Sequence, residues 1–205
     1  MSCDYKKSQN KEQNLIKTKL SNCINEKIND NISREDKIDF YGIFSSLEEE
    51  LIEKDFLDNK KKKSYLKLFD KIKIDNKSYL KNFVVKSKDL TEKNGFKIDL
   101  YLHRNPVLSS CPYTVLTSIE NYENLKFYKF SKSLNDIYTN GFKNKKSIEL
   151  LMEMPDRVEF DKIHYRAPIL LAFILYADEI VNPSTKVEKF EVNGKTYLRK
   201  KDSIE

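Results

Sequence analysis

The order of patterns along this chain predicts an α+β fold: N-terminal helices, then a mixed or antiparallel sheet with a buried apolar helix or strand, and a C-terminal β-hairpin. Three observations carry that expectation. Between residues 15 and 72 apolar side chains recur at three- and four-residue steps, the period of a helix with one face inside. From residue 96 the period shortens to two. In FKIDLYLH the residues Phe96, Ile98, Leu100 and Leu102 alternate with Lys97, Asp99, Tyr101 and His103. Near the end, KFEVNGKTYLRK sets Asn193-Gly194 between two alternating runs, and both residues accept the positive φ of a tight hairpin turn.

The elements follow in order. Residues 1–10 show no period and read as a loose tail. Leu15, Ile16, Leu20, Cys23, Ile24 and Ile28 define a first helix. Tail and helix together make an N-terminal segment, 1–32, ahead of a single α+β domain, 33–205. Ser33 with Asp36 has the spacing of a capping box, in which each side chain satisfies a free N–H at a helix start. The helix it opens carries Phe40, Ile43, Phe44, Leu47 and Leu51 on one stripe, with Glu48, Glu49 and Glu50 mostly off it. DNKKKK at 58–63 is a charged break, followed by a shorter helix through Tyr65, Leu68, Phe69 and Ile72.

After the strand at 96–103, Asn105-Pro106 stops extension. PYTVLTSI reads as a second strand with Tyr113, Val115, Thr117 and Ile119 on one face, and LKFYKF (125–130) as a third. SIELLMEM (147–154) fits strand or helix and is closed by Pro155. From Ala167 to Ala177 no residue is charged. That run is about half of the roughly 20 apolar residues a membrane span needs, so it reads as core, and its Leu and Ala content favours helix. Pro168 suits a first helical turn. In the final hairpin Phe190 should face Tyr197, and Glu188 should face Arg199.

Composition limits the function classes. The chain has 205 residues, 34% charged and 39% hydrophobic, enough apolar material for a core. Only four glycines are present, which argues against Gly-rich phosphate loops. There is no P-loop, dinucleotide fingerprint, HExxH, GxSxG or paired CxxC, so no cofactor or metal is expected. Cys3, Cys23 and Cys111 are odd in number and lack paired spacing, which gives neither a disulfide framework nor a zinc site. With no signal segment at the start, the expected setting is cytoplasmic and reducing, without a membrane.

Charge supplies the candidate surfaces. Residues 54–93 hold thirteen lysines against six acids, so this stretch contains all of the chain's net charge of +6. Lys60, Lys61, Lys62 and Lys63 are its densest run, and Tyr65 and Tyr79 could stack on bases if the stretch contacts nucleic acid. No arginine lies there, and arginine is what bidentate phosphate or guanine recognition favours. PDRVEFDK (155–162) resembles the metal-holding run of some nucleases, but Asp156 and Glu159 stand too close together for that layout. A loop with surface charges is expected there instead. His103 and His164, the two histidines, have no visible acid–base partner, and Cys111 reads as a small buried residue.

In the C-terminal half, SIENYEN (118–124) precedes APILLAFILYADEI (167–180). This arrangement, over about 110–181, resembles the tail-terminator proteins of contractile phage tails and phage-like particles. The resemblance implies a small α+β protein without catalytic residues. It implies a homo-oligomeric ring capping tail tube and sheath and contacting other tail proteins, within a virion or phage-like particle. The region before residue 95 is longer than that family leads one to expect. The resulting expectation is a non-enzymatic, ring-forming assembly protein. A basic nucleic-acid-binding protein using 54–93 is the alternative, and a metal-dependent nuclease the third. Ring contacts are expected from the hairpin edge, with Tyr197 and Leu198 as anchors. Arg199, Lys200 and Lys201 would steer it toward the acidic run Glu48, Glu49 and Glu50.

Overall fold

The uncharged run at 167–177 forms the middle of a long helix around which the others pack, and this arrangement replaces the expected sheet. A computed structural model describes residues 2–29, 38–74, 76–98, 107–140, 145–183, 187–192 and 195–200. Its helices are α1 (Ser2–Asn29), α2 (Phe40–Glu53), α3 (Lys62–Lys73), α4 (Lys77–Lys93), α5 (Val107–Leu116), α6 (Lys126–Asn140), α7 (Lys145–Glu153), α8 (Arg157–Phe160) and α9 (Ile163–Val181). A 3-10 turn covers Tyr122–Asn124. Two strands, β1 (Val187–Val192) and β2 (Lys195–Lys200), pair antiparallel with Phe190 opposite Tyr197 and Glu188 opposite Arg199. The turn residues 193 and 194 lie outside the described residues.

Every residue of α9 from His164 to Leu175 is buried, and so is Ala177. A helix inside on all sides needs neighbours on all sides. Here α2, α3, α4, α7 and α8 supply them. Phe173 stacks on Phe69 of α3 at 5.0 Å, and Tyr165 meets Phe127 and Phe130 of α6 edge-on at 5.2 and 4.9 Å. Beyond α6 lie α5 and then α1, an outer layer on the same core. The helix begins at Ile163, so Pro168 falls in its second turn and offers no N–H to the carbonyl four residues back.

The α+β expectation is therefore overturned. PYTVLTSI belongs to α5 and the turn after it, and LKFYKF to α6. In α6 the buried residues Phe127, Phe130, Ser131, Leu134 and Ile137 step by three and four. A six-residue window ends before that period declares itself. SIELLMEM is helical through Glu153 in α7. Phe96 and Ile98 are buried, while 99–106, including His103, lie outside the described residues, as does the Ser33–Asp36 capping box. The first ten residues, expected as a loose tail, are helical from Ser2.

Residues 155–162, expected as a loop, hold the single turn α8 with a true capping box. The Asp156 Oδ1 accepts from the backbone N–H groups of Val158 and Glu159, both at 2.9 Å, and Glu159 Oε2 accepts from the N–H of Asp156 at 2.8 Å.

The cysteine arithmetic also fails. Cys23 of α1 and Cys111 of α5 form a disulfide with Cα atoms 5.8 Å apart, closing a separation of 88 residues. Such a spacing has no local signature. A closure of this length contributes about 4.6 kcal/mol in the chain-entropy view. The expectation that no cysteines pair is overturned here.

The position of Leu171 generates a direct check. It is buried on the central helix, where an unpaired charge costs several kcal/mol against a total stability of about 5–15 kcal/mol. Leu171→Asp is expected to abolish cooperative melting monitored by circular dichroism.

Candidate functional site

Glu48 makes the densest polar constellation in the body. It lies one turn beyond Phe44 on α2, on the flank that packs inward, and has no exposed surface. Its partner is Arg166 of α9, 118 residues away. The guanidinium grips the carboxylate from the side, Nε donating to Oε1 at 2.6 Å and Nη2 to Oε2 at 3.2 Å. Its third nitrogen, Nη1, donates to the carbonyl of Phe160 at 3.2 Å, which fastens α8 to the same group.

Tyr65 of α3, also fully buried, donates its hydroxyl to Glu48 Oε1. Lys60 lies 3.9 Å from Oε2 at the outer edge. Burial, and then the Glu48 charge, push the Tyr65 hydroxyl well above its usual pKa. Burial opposes the Arg166 charge, but the Glu48 carboxylate outweighs it and raises the pKa. Three donors, two from Arg166 and one from Tyr65, hydrogen-bond to one carboxylate, and Lys60 stands at its outer edge. It joins α2, α3, α8 and α9.

His164 lies beside it on α9, with its ring 5.3 Å from that of Phe127 and 1% exposed. It borders a crevice lined also by Ile24, Tyr41, Pro112, Phe130 and Pro168. The cavity there measures about 10 Å³, room for one water at most. Burial, with Lys17, Lys162 and Arg166 nearby, holds the imidazole down to about 3.

The acidic and basic runs singled out from sequence are divided by the fold. Glu48 is removed from the surface altogether, which corrects its place in an exposed acidic patch. Glu49 is exposed and pairs with Lys60 at 3.0 Å. Glu50 borders a shallow groove of about 290 Å³ with Lys54, Lys86, Asp89, Leu90 and Lys93.

Lys61 pairs with Asp161 at 2.8 Å. Lys62 donates to the carbonyls of Glu153 and Pro155 at 3.3 and 2.8 Å, serving the open end of α7. Lys63 is exposed. Three of the four lysines in that run are thus tethered to the chain itself. Tyr65 is withdrawn from any stacking role by its burial, and Lys71 covers the Tyr79 ring at 5.7 Å.

Tyr197, Leu198, Arg199 and Lys200 lie on β2, opposite Phe190, Lys189, Glu188 and Val187. Lys201 lies outside the described residues. Asp156 and Glu159 spend their carboxylates on the α8 cap and on Lys126, at 2.9 and 3.4 Å. Among the described residues no three His, Cys, Asp or Glu side chains gather as a metal site, and no helix is long and apolar enough to cross a membrane.

The class so defined is a helical bundle closed around one apolar helix and pinned by a buried ion pair. Comparison with family models, with curated proteins and with solved structures finds no match to this chain.

Two measurements test the site. Glu48→Ala leaves Arg166 charged and buried, so urea unfolding is expected to show a loss of about 3–5 kcal/mol. Glu48→Met combined with Arg166→Met should recover more than half of it. For His164, the fold favours the neutral ring, whereas the unfolded chain takes up a proton below pH 6.5. Stability therefore falls as pH drops from about 6.5 toward about 3, by up to about 1.4 kcal/mol per unit from this group. His164→Phe should show a shallower acid slope than the parent in the same urea titrations.

Proposed function

We propose that the protein is a non-enzymatic assembly subunit, a helical body that binds protein partners through its outer faces. The observation that carries this reading is a group of exposed apolar side chains on and between α7 and α8. Leu150, Met154 and Val158 follow one another at four-residue steps, 47%, 38% and 65% exposed. Leu66, 41% exposed, lies on the flank of α3 between Lys62 and Lys73, and those two lysines reach Glu153, Pro155 and Glu149 of the same segment. Isolated exposed apolar residues are ordinary; several within one short segment support a contact surface. The partners in this reading are copies of the chain and other proteins of the assembly. A ring in a phage tail or phage-like particle is the particular form that the resemblance over 110–181 implies, and it rests on that resemblance alone.

A second reading has its own observation. On the exposed side of α4, Lys77, Lys81, Lys86 and Lys93 make no ion pair among the described residues, unlike Lys60 to Lys62. Exposed cations of this kind suit a polyanion, bound through phosphates without base reading.

Sedimentation of the full chain, with and without duplex DNA, separates the two. Assembly predicts a discrete oligomer indifferent to DNA, reduced to monomer by Leu150→Glu with Val158→Glu while the helical spectrum is kept. A monomer at every concentration that shifts onto DNA replaces this reading with the second. Its affinity should then fall steeply with salt, and Lys81→Gln with Lys86→Gln should lower the log–log slope by about two.

A further inference from the structure

The described part of helix α1 packs on α5 and on the start of α2. Its described apolar face is one row, Ile16, Leu20, Ile24 and Ile28, set four residues apart and each no more than 5% exposed. Its polar ties are short-range. The Asn29 side chain bridges both backbone groups of Ile38, at 2.8 and 2.9 Å, and Asn25 Oδ1 accepts from the N–H of Phe40 at 3.0 Å. These three bonds secure the C-terminal end of α1 to Ile38 and to the start of α2. Further along, Lys19 donates to Ser118 at 3.0 Å from an exposed position. The covalent tie to the outer layer is the Cys23–Cys111 disulfide.

What α1 covers is aromatic and apolar. Ile24, the residue after Cys23, closes the crevice formed by Phe40 and Tyr41 of α2, Pro112 of α5, Phe127, Phe130 and Leu134 of α6, and His164 and Pro168 of α9. An amphipathic helix seated in a groove between four others has the geometry by which grooves take helices from partners. Here the occupant is the chain's own N-terminal helix, and the fastening is chemically reversible.

We propose that the Cys23–Cys111 disulfide is a redox latch that keeps α1 seated over this groove, so that reduction by a dithiol uncovers the groove while the rest of the helical body stays folded. Cys23 is half-buried and Cys111 is fully buried, so attack falls on the Cys23 sulfur. A dithiol's thiolate bonds to Cys23 Sγ, and Cys111 Sγ leaves as a thiolate and is protonated. The reagent's second thiolate then displaces Cys23 as a thiol. The protein gains two electrons and two protons, and the dithiol becomes its own disulfide.

The body has reason to persist. The Glu48–Arg166 pair, the Tyr65 bond and the packing of α2, α3, α4, α7 and α8 on α9 involve no residue of α1.

The test uses the full chain purified without reductant. Denatured thiol counting should find one free thiol, from Cys3, and three after dithiothreitol. Three free thiols at the outset overturn the proposal. Hydrogen exchange is then compared in the oxidised and dithiothreitol-reduced forms. Amides of 16–28 should lose protection by about 100-fold or more on reduction, those of 164–177 should not, and an apolar dye should bind only the reduced form. Equal protection of 16–28 in both forms overturns the latch. Simultaneous loss in 16–28 and 164–177 also overturns it, because the disulfide would then be a staple of the whole fold. Cys23→Ser should behave as the reduced form. If that variant does not fold, reduction of the folded parent still decides the matter.

Discussion

A carboxylate with no exposed surface is expensive to bury, and in this protein the positions of four helices follow from how Glu48 is accommodated. Its oxygens receive Arg166 from the central helix and Tyr65 from α3, and the same guanidinium reaches the carbonyl that ends α8. Sliding α2 against α9 by one turn, about 5 Å, would leave both charges without partners in an apolar interior. Apolar packing tolerates small shifts. A bidentate pair closed by a tyrosine does not, so the register of the bundle is set here and the surrounding aromatics fill the space it fixes.

The central helix makes that placement necessary. Because α9 is apolar on every side, it cannot lie on a surface and must be wrapped. Arg166, near its start, is the charge carried within the buried stretch of α9, and Glu48 answers it from α2. The outer layer of α6, α5 and α1 is attached differently, through aromatic contacts at Tyr165, through the row of isoleucines and leucine on α1, and through a disulfide. The inner shell is therefore locked by polar geometry, while the described part of the outermost helix is held by an apolar stripe, hydrogen bonds to Ile38, Phe40 and Ser118, and one covalent link.

The same division explains the lysines. Lys60, Lys61 and Lys62 are the densest positive run in the chain, yet each is drawn to a partner across the turn that joins α2 to α3 or across to α7 and α8. The lysines on the open side of α4 have no such partner among the described residues. Local charge density was a poor guide to which cations remain available, because availability depends on the neighbouring elements.

Several features were legible in the residues alone. The stripe Phe40, Ile43, Phe44, Leu47 and Leu51, the short helix through Tyr65 and Ile72, and the burial of 167–177 all follow from spacing and apolarity, which act locally. The opposition of Phe190 to Tyr197 follows from the length of the connection between the strands. Continuing the reading of LKFYKF to Ile137 would have exposed a helical period, and Glu48, four residues after Phe44, already lay on an inward flank. Other decisions were out of reach. In PYTVLTSI, β-branched residues and alternation favour a strand, and that weak preference yields to a helix that places Cys111, Val115 and Leu116 inside. Which arginine meets Glu48 and which cysteine meets Cys23 depend on closures of more than eighty residues, for which sequence spacing carries no signal. Periodicity fixes which side of an element is buried; only the packed structure decides what that side meets, because partners are chosen by distance in space.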